Sequence, residues 1–256
     1  MVHCYFVLFL EKNANSALNE IFALIERDER FDIQPSTTFA KEHNVFNYNL
    51  TVRDISILIS NSSWNKAIIY REPLSRFLSA YRSKCGGFDS DGYSWCRNAF
   101  GSRDVSFEAA VFKMYHFEVE RDPHFARQSE FCGGLRETLR HYQFKFEMNP
   151  STLRKHLWRL FNSVNLTNSA AFKIVNRFNR LFPPVSAKID GKRSTSRNTF
   201  SSLSTNLLRF YSKQCYIRTI VDYYQADYDL FGIAYPMWAI PALQNTSRES
   251  CDGLTY

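Results

Sequence analysis

The sequence lacks any apolar run near the ~20 residues that a membrane-spanning helix needs. Its longest early run, Val2 to Leu10, is interrupted by His3 and has neither a basic lead-in nor a small-residue cleavage site. That excludes a typical secretory signal and reads instead as a strand. None of the cysteines form a CxxC pair, so a zinc site is poorly supported. The glycines of a GxxxxGK[ST] phosphate loop are missing, which argues against a nucleotide-dependent kinase. There is no internal repeat and no low-complexity stretch.

What is present is enough for a large core. The chain has 256 residues, 45% of them hydrophobic and 22% charged, a composition that argues against disorder. Lys plus Arg number 32 and Asp plus Glu 25, so the net charge is +7. A positive excess admits nucleic acid, nucleotides, acidic glycans and lipid surfaces, and equally plain solubility. No nucleic-acid recognition motif accompanies it, so a nucleic-acid partner is set aside.

Six cysteines (Cys4, Cys85, Cys96, Cys132, Cys215, Cys251) permit disulfides without proving them. Cys85 and Cys96 bracket a segment rich in Gly, Asp and Ser, where a disulfide would restrain the chain. Four N-glycosylation sequons begin at Asn49, Asn61, Asn165 and Asn245. Together they point to a secretory lumen.

Periodicity gives the architecture. After the first strand and a polar break at 11–15, Leu18, Ile21, Phe22 and Ile25 follow the i, i+3, i+4, i+7 spacing of an amphipathic helix. A helix is expected over 51–59. A short apolar strand over 66–70 leads through Arg71 and Glu72 to Pro73, a favourable helix start. The helix that follows carries the stripe Leu74, Phe77, Leu78, Tyr81, with Ser75, Ser79 and Arg82 opposite. Two strand–turn–helix units in succession predict an α/β fold, a parallel sheet flanked by helices. Residues 85–104 read as loop, 105–119 as helix, 122–134 as irregular, and 151–164 and 170–182 as helices. Residues 186–201 read as a basic loop and 203–224 as one or two helices.

Two places suit an anion. Lys12, with Asn13 and Ser16, precedes the first helix, whose N-terminus offers free N–H groups and a partial positive charge. A solvated surface lysine fits the same spacing. Arg71 ends a strand before a proline-started helix, and a strand-end Arg with a helix hydroxyl can fix a phosphate. A surface ion pair of Arg71 or Arg76 with Glu72 is the plainer alternative.

The segment Lys66-Ala-Ile-Ile-Tyr-Arg-Glu-Pro-Leu-Ser-Arg-Phe-Leu-Ser-Ala-Tyr-Arg-Ser-Lys-Cys85 resembles the 3′-phosphate-binding segment of Golgi carbohydrate sulfotransferases. Glu72 stands for the family's usual Asp. Asp122-Pro-His-Phe125 with Gln128 and Cys132 resembles a second family region, with Arg127 where Pro is common. Tyr223-Tyr-Gln-Ala-Asp-Tyr-Asp-Leu-Phe-Gly232 resembles the closing signature, with Ile233 for a final Tyr. Glu11-Lys-Asn-Ala-Asn-Ser16 occupies the place of the 5′-phosphosulfate loop, with Glu11 for Pro and Ala17 for a hydroxyl residue. Nematode-type members of the chondroitin/HNK-like group are nearest in pattern.

The resemblance implies a P-loop-like sulfotransferase fold over residues 1–243, with 244–256 a polar tail. It implies a Golgi-lumen enzyme whose family carries a membrane anchor and stem absent from this sequence. The reaction implied is sulfonate transfer from 3′-phosphoadenosine-5′-phosphosulfate to a glycan hydroxyl, possible chondroitin-type acceptors included, without a metal. Lys12 would meet the 5′-phosphate and the bridging oxygen, with Asn13 and Ser16 beside it. Arg71 and Ser79 would hold the 3′-phosphate. Thr195 and Arg197 lie in the segment that resembles the fold over the donor. Arg193 and Arg197 suit an anionic acceptor. His124 would be the base, with Glu120 and Asp122 behind it. Because Glu11 is unfavourable beside an anion unless it points away, the second reading is a catalytically impaired nucleotide- or glycan-binding relative.

Overall fold

The computed structural model describes residues 5–9, 52–63, 65–86, 92–114, 122–163, 179 and 207–245. The chain divides into two compact units, one of residues 1–70 and 137–195, the other of residues 71–136 and 196–256.

The first unit holds a three-stranded parallel sheet in the order β1-β2-β3, formed by Tyr5–Phe9, Asn65–Tyr70 and Phe144–Glu147. The register pairs Tyr5 with Asn65 and Ala67 with Phe144. The central strand β2 buries Lys66 through Ile69, as a continuous apolar run between two neighbours should. Lys66 is the exception in type. Its Nζ donates to the carbonyl of Asn61, and burial pushes its pKa down. The Gln143 side chain accepts from the Lys66 N–H at 2.8 Å, taking the place of a strand partner just before β3 begins.

Helix α1 (Val52–Ser60) lies where the periodicity predicts it. Helix Pro150–Ser163 is long and buries Leu153, Leu157, Leu160 and Phe161 on one stripe. The imidazole of His156 stacks on Phe146 of β3 at 4.9 Å.

In the second unit, α2 (Pro73–Lys84), α3 (Gly92–Phe100), α4 (Phe107–Lys113), α7 (Gln214–Tyr223), α8 (Gln225–Phe231) and α9 (Ile240–Gln244) share one core. The short α5 (Leu135–Thr138) precedes β3 in the chain, and Pro150–Ser163 is α6. The predicted stripe Leu74, Phe77, Leu78, Tyr81 is buried. Phe77 meets Phe107 and Phe125 edge-on at 5.7 and 5.8 Å, and Phe107 meets Tyr211 at 5.3 Å. Each such ring contributes roughly 1.5–3 kcal/mol by leaving water. The Tyr81 hydroxyl donates to the Val105 carbonyl at 2.8 Å, so this tyrosine is a core residue.

Three elements differ from expectation. Residues 92–100 are helical, not loop, because Cys96, Ala99 and Phe100 find a buried face in the core. The Cys85–Cys96 disulfide then ties this helix to the end of α2. The helix expected over 105–119 is seen as Phe107–Lys113, started by Ser106, whose hydroxyl accepts from the Ala109 N–H. β3 is a strand that the sequence periodicity does not predict. Cys215 is also disulfide-bonded. Asn61 and Asn245, each opening a sequon, are both exposed. Among the described residues, no helix is long and apolar enough to cross a membrane. The expected helices after Ser16 and over 170–182, and the loop over 186–201, lie outside the described residues apart from residue 179.

Candidate functional site

The chain leaves β2 at Tyr70, passes through Arg71 and Glu72, and enters α2. In open parallel sheets ligands gather where strands end at their carboxyl side, so this turn is the natural place to look. Its conformation is held by side chains from distant parts of the second unit.

Glu72 caps α2. Its carboxylate accepts from the backbone N–H groups of Leu74 and Ser75 at 2.9 and 2.7 Å and from the Ser75 hydroxyl at 2.6 Å. These satisfy donors that a helix start leaves orphaned. The Tyr228 hydroxyl adds a fourth bond at 2.6 Å. Burial and the Glu72 carboxylate raise the Tyr228 pKa far above its ordinary value, so it stays a donor. The Glu72-for-Asp exchange therefore leaves a fully used cap.

The Arg71 backbone is gripped by one side chain. The Gln128 carboxamide accepts from the Arg71 N–H at 2.9 Å and donates to the Arg71 carbonyl at 2.8 Å. Gln128 is itself fixed by Asp227, fully buried, whose carboxylate accepts from the Gln128 and Ser129 N–H groups at 2.9 and 2.7 Å. That carboxylate caps the 3-10 helix Gln128–Gly133.

The rest of the closing signature does similar work. The Tyr224 hydroxyl donates to the Phe125 carbonyl. The Tyr223 carbonyl accepts from Arg127 Nε at 2.8 Å, and the guanidinium lies over the Tyr223 ring at 4.5 Å. Thus Arg127, where the resembled family often has Pro, fastens its segment by charge and stacking. Gly232 ends α8 at φ 61°, a left-handed cap conformation that glycine adopts without steric cost.

Arg71 is the cation presented by this frame. It is 6% exposed, and burial pushes its pKa down to about 10, with neighbouring Arg76 adding to the shift and Glu72 opposing it. It stays charged at neutral pH and its charge is costly to bury, which is the condition that favours a bound anion. Ser79 sits two turns into α2, half-buried on the side away from the core stripe. Arg76, by contrast, is a brace: fully buried, it donates to the carbonyls of Ala126 and Pro123 at 2.7 and 3.0 Å.

The same 122–128 segment carries His124. Asp122 Oδ1 accepts from both His124 Nδ1 and the His124 backbone N–H, each at 2.8 Å. With Asp122 ionised, Nδ1 holds the proton and Nε2 carries the ring's lone pair. The Trp95 indole meets the imidazole edge-on at 4.8 Å, so the ring is fixed on a second side. Asp122 Oδ2 is buried without a hydrogen-bond partner among the described residues. Such an orphan oxygen is rare in a finished structural network.

The structure thus brings the Arg71 turn and the His124 segment together through Gln128 and Arg76. Lys12, Asn13, Ser16, Glu120, Arg193, Thr195 and Arg197 lie outside the described residues. Sequence reasoning quoted Gln128, Asp227 and Tyr228 as pattern but gave them no role, and it missed the burial of Arg76 and the contact of Trp95. Among the described residues, no group of three or more His, Cys, Asp or Glu side chains is placed to hold a metal ion.

A model of the sulfotransferase family matches residues 3–236 of this chain. The chain belongs to the sulfotransferase family. The mixed helices and small parallel sheet suit a sulfotransferase-type α/β fold. The chain is also 28% identical over 141 residues to a Caenorhabditis elegans protein titled "Putative sulfotransferase vep-2". That match covers 51% of this chain and 43% of the relative, so the chain spans less than half of the relative's length. No solved structure matches.

Proposed function

We propose that this sulfotransferase moves a sulfonate from 3′-phosphoadenosine-5′-phosphosulfate to a hydroxyl of an anionic glycan, chondroitin-type chains among the candidates, in the Golgi lumen. The observation that carries the reading is the buried Arg71, held by its own backbone in a clamp of Gln128 and Asp227 within a family match over nearly the whole chain. Residues 1–243 are read as one catalytic domain.

The donor supplies a sulfuryl group whose transfer resembles in-line phosphoryl transfer, with charge building on the leaving phosphate. Arg71 and Ser79 bind and orient the 3′-phosphate, a positioning role. Lys12, Asn13 and Ser16 are assigned to the 5′-phosphate, and Lys12 to the charge that develops there. Thr195 and Arg197 are assigned to the strap over the donor. His124 Nε2 takes the proton of the acceptor hydroxyl, while Asp122 holds the ring and stabilises the imidazolium. The scheme uses protein cations in place of a metal. The disulfides and exposed sequons agree with an oxidising, glycosylating compartment.

Calorimetric titration with 3′,5′-adenosine bisphosphate tests the donor assignment. Saturable binding is expected, weakened about 10- to 100-fold in Arg71→Ala, the loss of a charge-assisted contact. Equal affinity in the variant would remove Arg71 from the site. Binding without any turnover on a panel of glycan acceptors would favour the impaired-relative reading, in which Glu11 disables the phosphosulfate loop.

A further inference from the structure

Helix α6 presents a face that neither the fold nor the proposed reaction uses. Its buried stripe is Leu153, Leu157, Leu160 and Phe161. The opposite side exposes Lys155, Trp158, Arg159 and Asn162, with Arg154 half-buried at the margin. Lys155 and Arg159 are one turn apart, about 6 Å along the axis, and Trp158 lies beside them. Helix α6 contains no Asp or Glu. Lys155 and Arg159 have no ion pair among the described residues.

This departs from a solvated helix face, which commonly mixes both signs at i, i+4 spacing. It also carries a large indole that is 39% exposed. The field of the two cations is felt locally. The His156 pKa is lowered by burial first, and then by Arg159 and Lys155. A face of one sign with an aromatic platform at its margin, where the Trp158 indole also meets Phe161 edge-on at 6.4 Å, complements a polymer that alternates negative groups with flat apolar ring faces.

We infer that the Lys155–Trp158–Arg159 face of α6 is a docking surface for an anionic glycan chain, made of residues that the proposed reaction does not use. The cations meet carboxylate or sulfate groups, and the indole meets the apolar face of a sugar ring. The choice of a glycan over other polyanions rests on the proposed sulfonate transfer; the existence of the face does not. A single-stranded nucleic acid can also pair cations with stacking, so it enters the test as the competitor.

The test measures binding of fluorescein-labelled chondroitin sulfate by anisotropy at several salt concentrations. Lys155→Ala/Arg159→Ala should lose about tenfold in affinity, and its salt slope should fall by about 1 to 2 as two counterion-releasing contacts vanish. Trp158→Ala should lose affinity with the salt slope unchanged. Arg71→Ala should bind the chain as the parent does, which separates this face from the donor site. Turnover on a short disaccharide acceptor should be unaltered in the α6 variants, while turnover on long chains falls. Circular dichroism checks that the exposed substitutions leave the fold intact. Parent-like affinity in the double variant would overturn the inference. So would absence of binding by the parent, or single-stranded DNA or phosphatidylserine vesicles bound as tightly through the same three residues.

Discussion

Arg71 and Arg76 are the same residue type five positions apart, and their surroundings give them opposite work. Arg76 has its guanidinium committed to two backbone carbonyls of the 122–128 segment. Arg71 has its backbone committed, and its buried charge is the one proposed for the 3′-phosphate. Arg76→Ala leaves those carbonyls without their donor and opens a void. A loss of roughly 3 kcal/mol is expected in chemical denaturation. A change below about 0.5 kcal/mol would show that Arg76 is no brace. The sequence made Arg71 readable because a strand end, a proline and a hydroxyl at helical spacing coincide there. It hid Arg76 because a charged residue in an amphipathic pattern is assigned to water. The acceptors that bury it lie some 50 residues away and leave no local mark.

Among elements, legibility followed length and self-sufficiency. Helices α2 and α6 are readable since each repeats its apolar stripe over two turns or more. Strand β3 was not, because Phe144–Glu147 is too short to show a period and is defined by pairing with β2. Helix α3 was masked by the Gly, Asp and Ser residues before it. Its buried side is Cys96, Ala99 and Phe100, and its anchor is covalent. Replacing Cys85 and Cys96 together by Ser should cost about 2–3 kcal/mol through the freed unfolded chain, read as a lower denaturation midpoint. Trp95 rides on the same helix, so the variant should also lose turnover; unchanged turnover would detach α3 from the site. Helix α6 carries a pH signature. His156 titrates below its ordinary value of 6.5 in the folded state, by burial and then by Arg159 and Lys155. A folded pKa beneath the unfolded one means that its contribution is whole above pH 6.5 and is lost as pH falls below it. Proton NMR should place the imidazole midpoint under 6.5, and His156→Phe should flatten stability between pH 7 and 5. A midpoint at or above 6.5 would contradict the burial of this ring.

For the whole molecule, neither compact unit is a continuous stretch of chain. Residues nominated for chemistry reside in 12–197, but the side chains that shape the second unit's turn come later. Asp227 and Tyr228 belong to the closing signature, which is readable as a pattern while its partners, Gln128 and Glu72, are set only by folding. A chain ended after Asp222 keeps every nominated catalytic and donor residue. It should nonetheless fail to bind 3′,5′-adenosine bisphosphate in calorimetry, because Arg71 loses its clamp's anchor and Glu72 its tyrosine. Retained affinity would mean that the turn is self-supporting.

The Glu72–Tyr228 bond joins residues 156 positions apart. Such pairings are slow to find, since loop closure precedes their reward. A ribosome releases Glu72 long before Tyr228, at about 5–20 residues per second, so the turn spends roughly ten to thirty seconds without its lock. Through that interval Glu72 and the nascent helix it caps stand exposed to folding helpers. The proposed anion site therefore matures last, as the closing segment arrives, and a chain stalled near its end is expected to be stable in parts yet blind to the proposed donor.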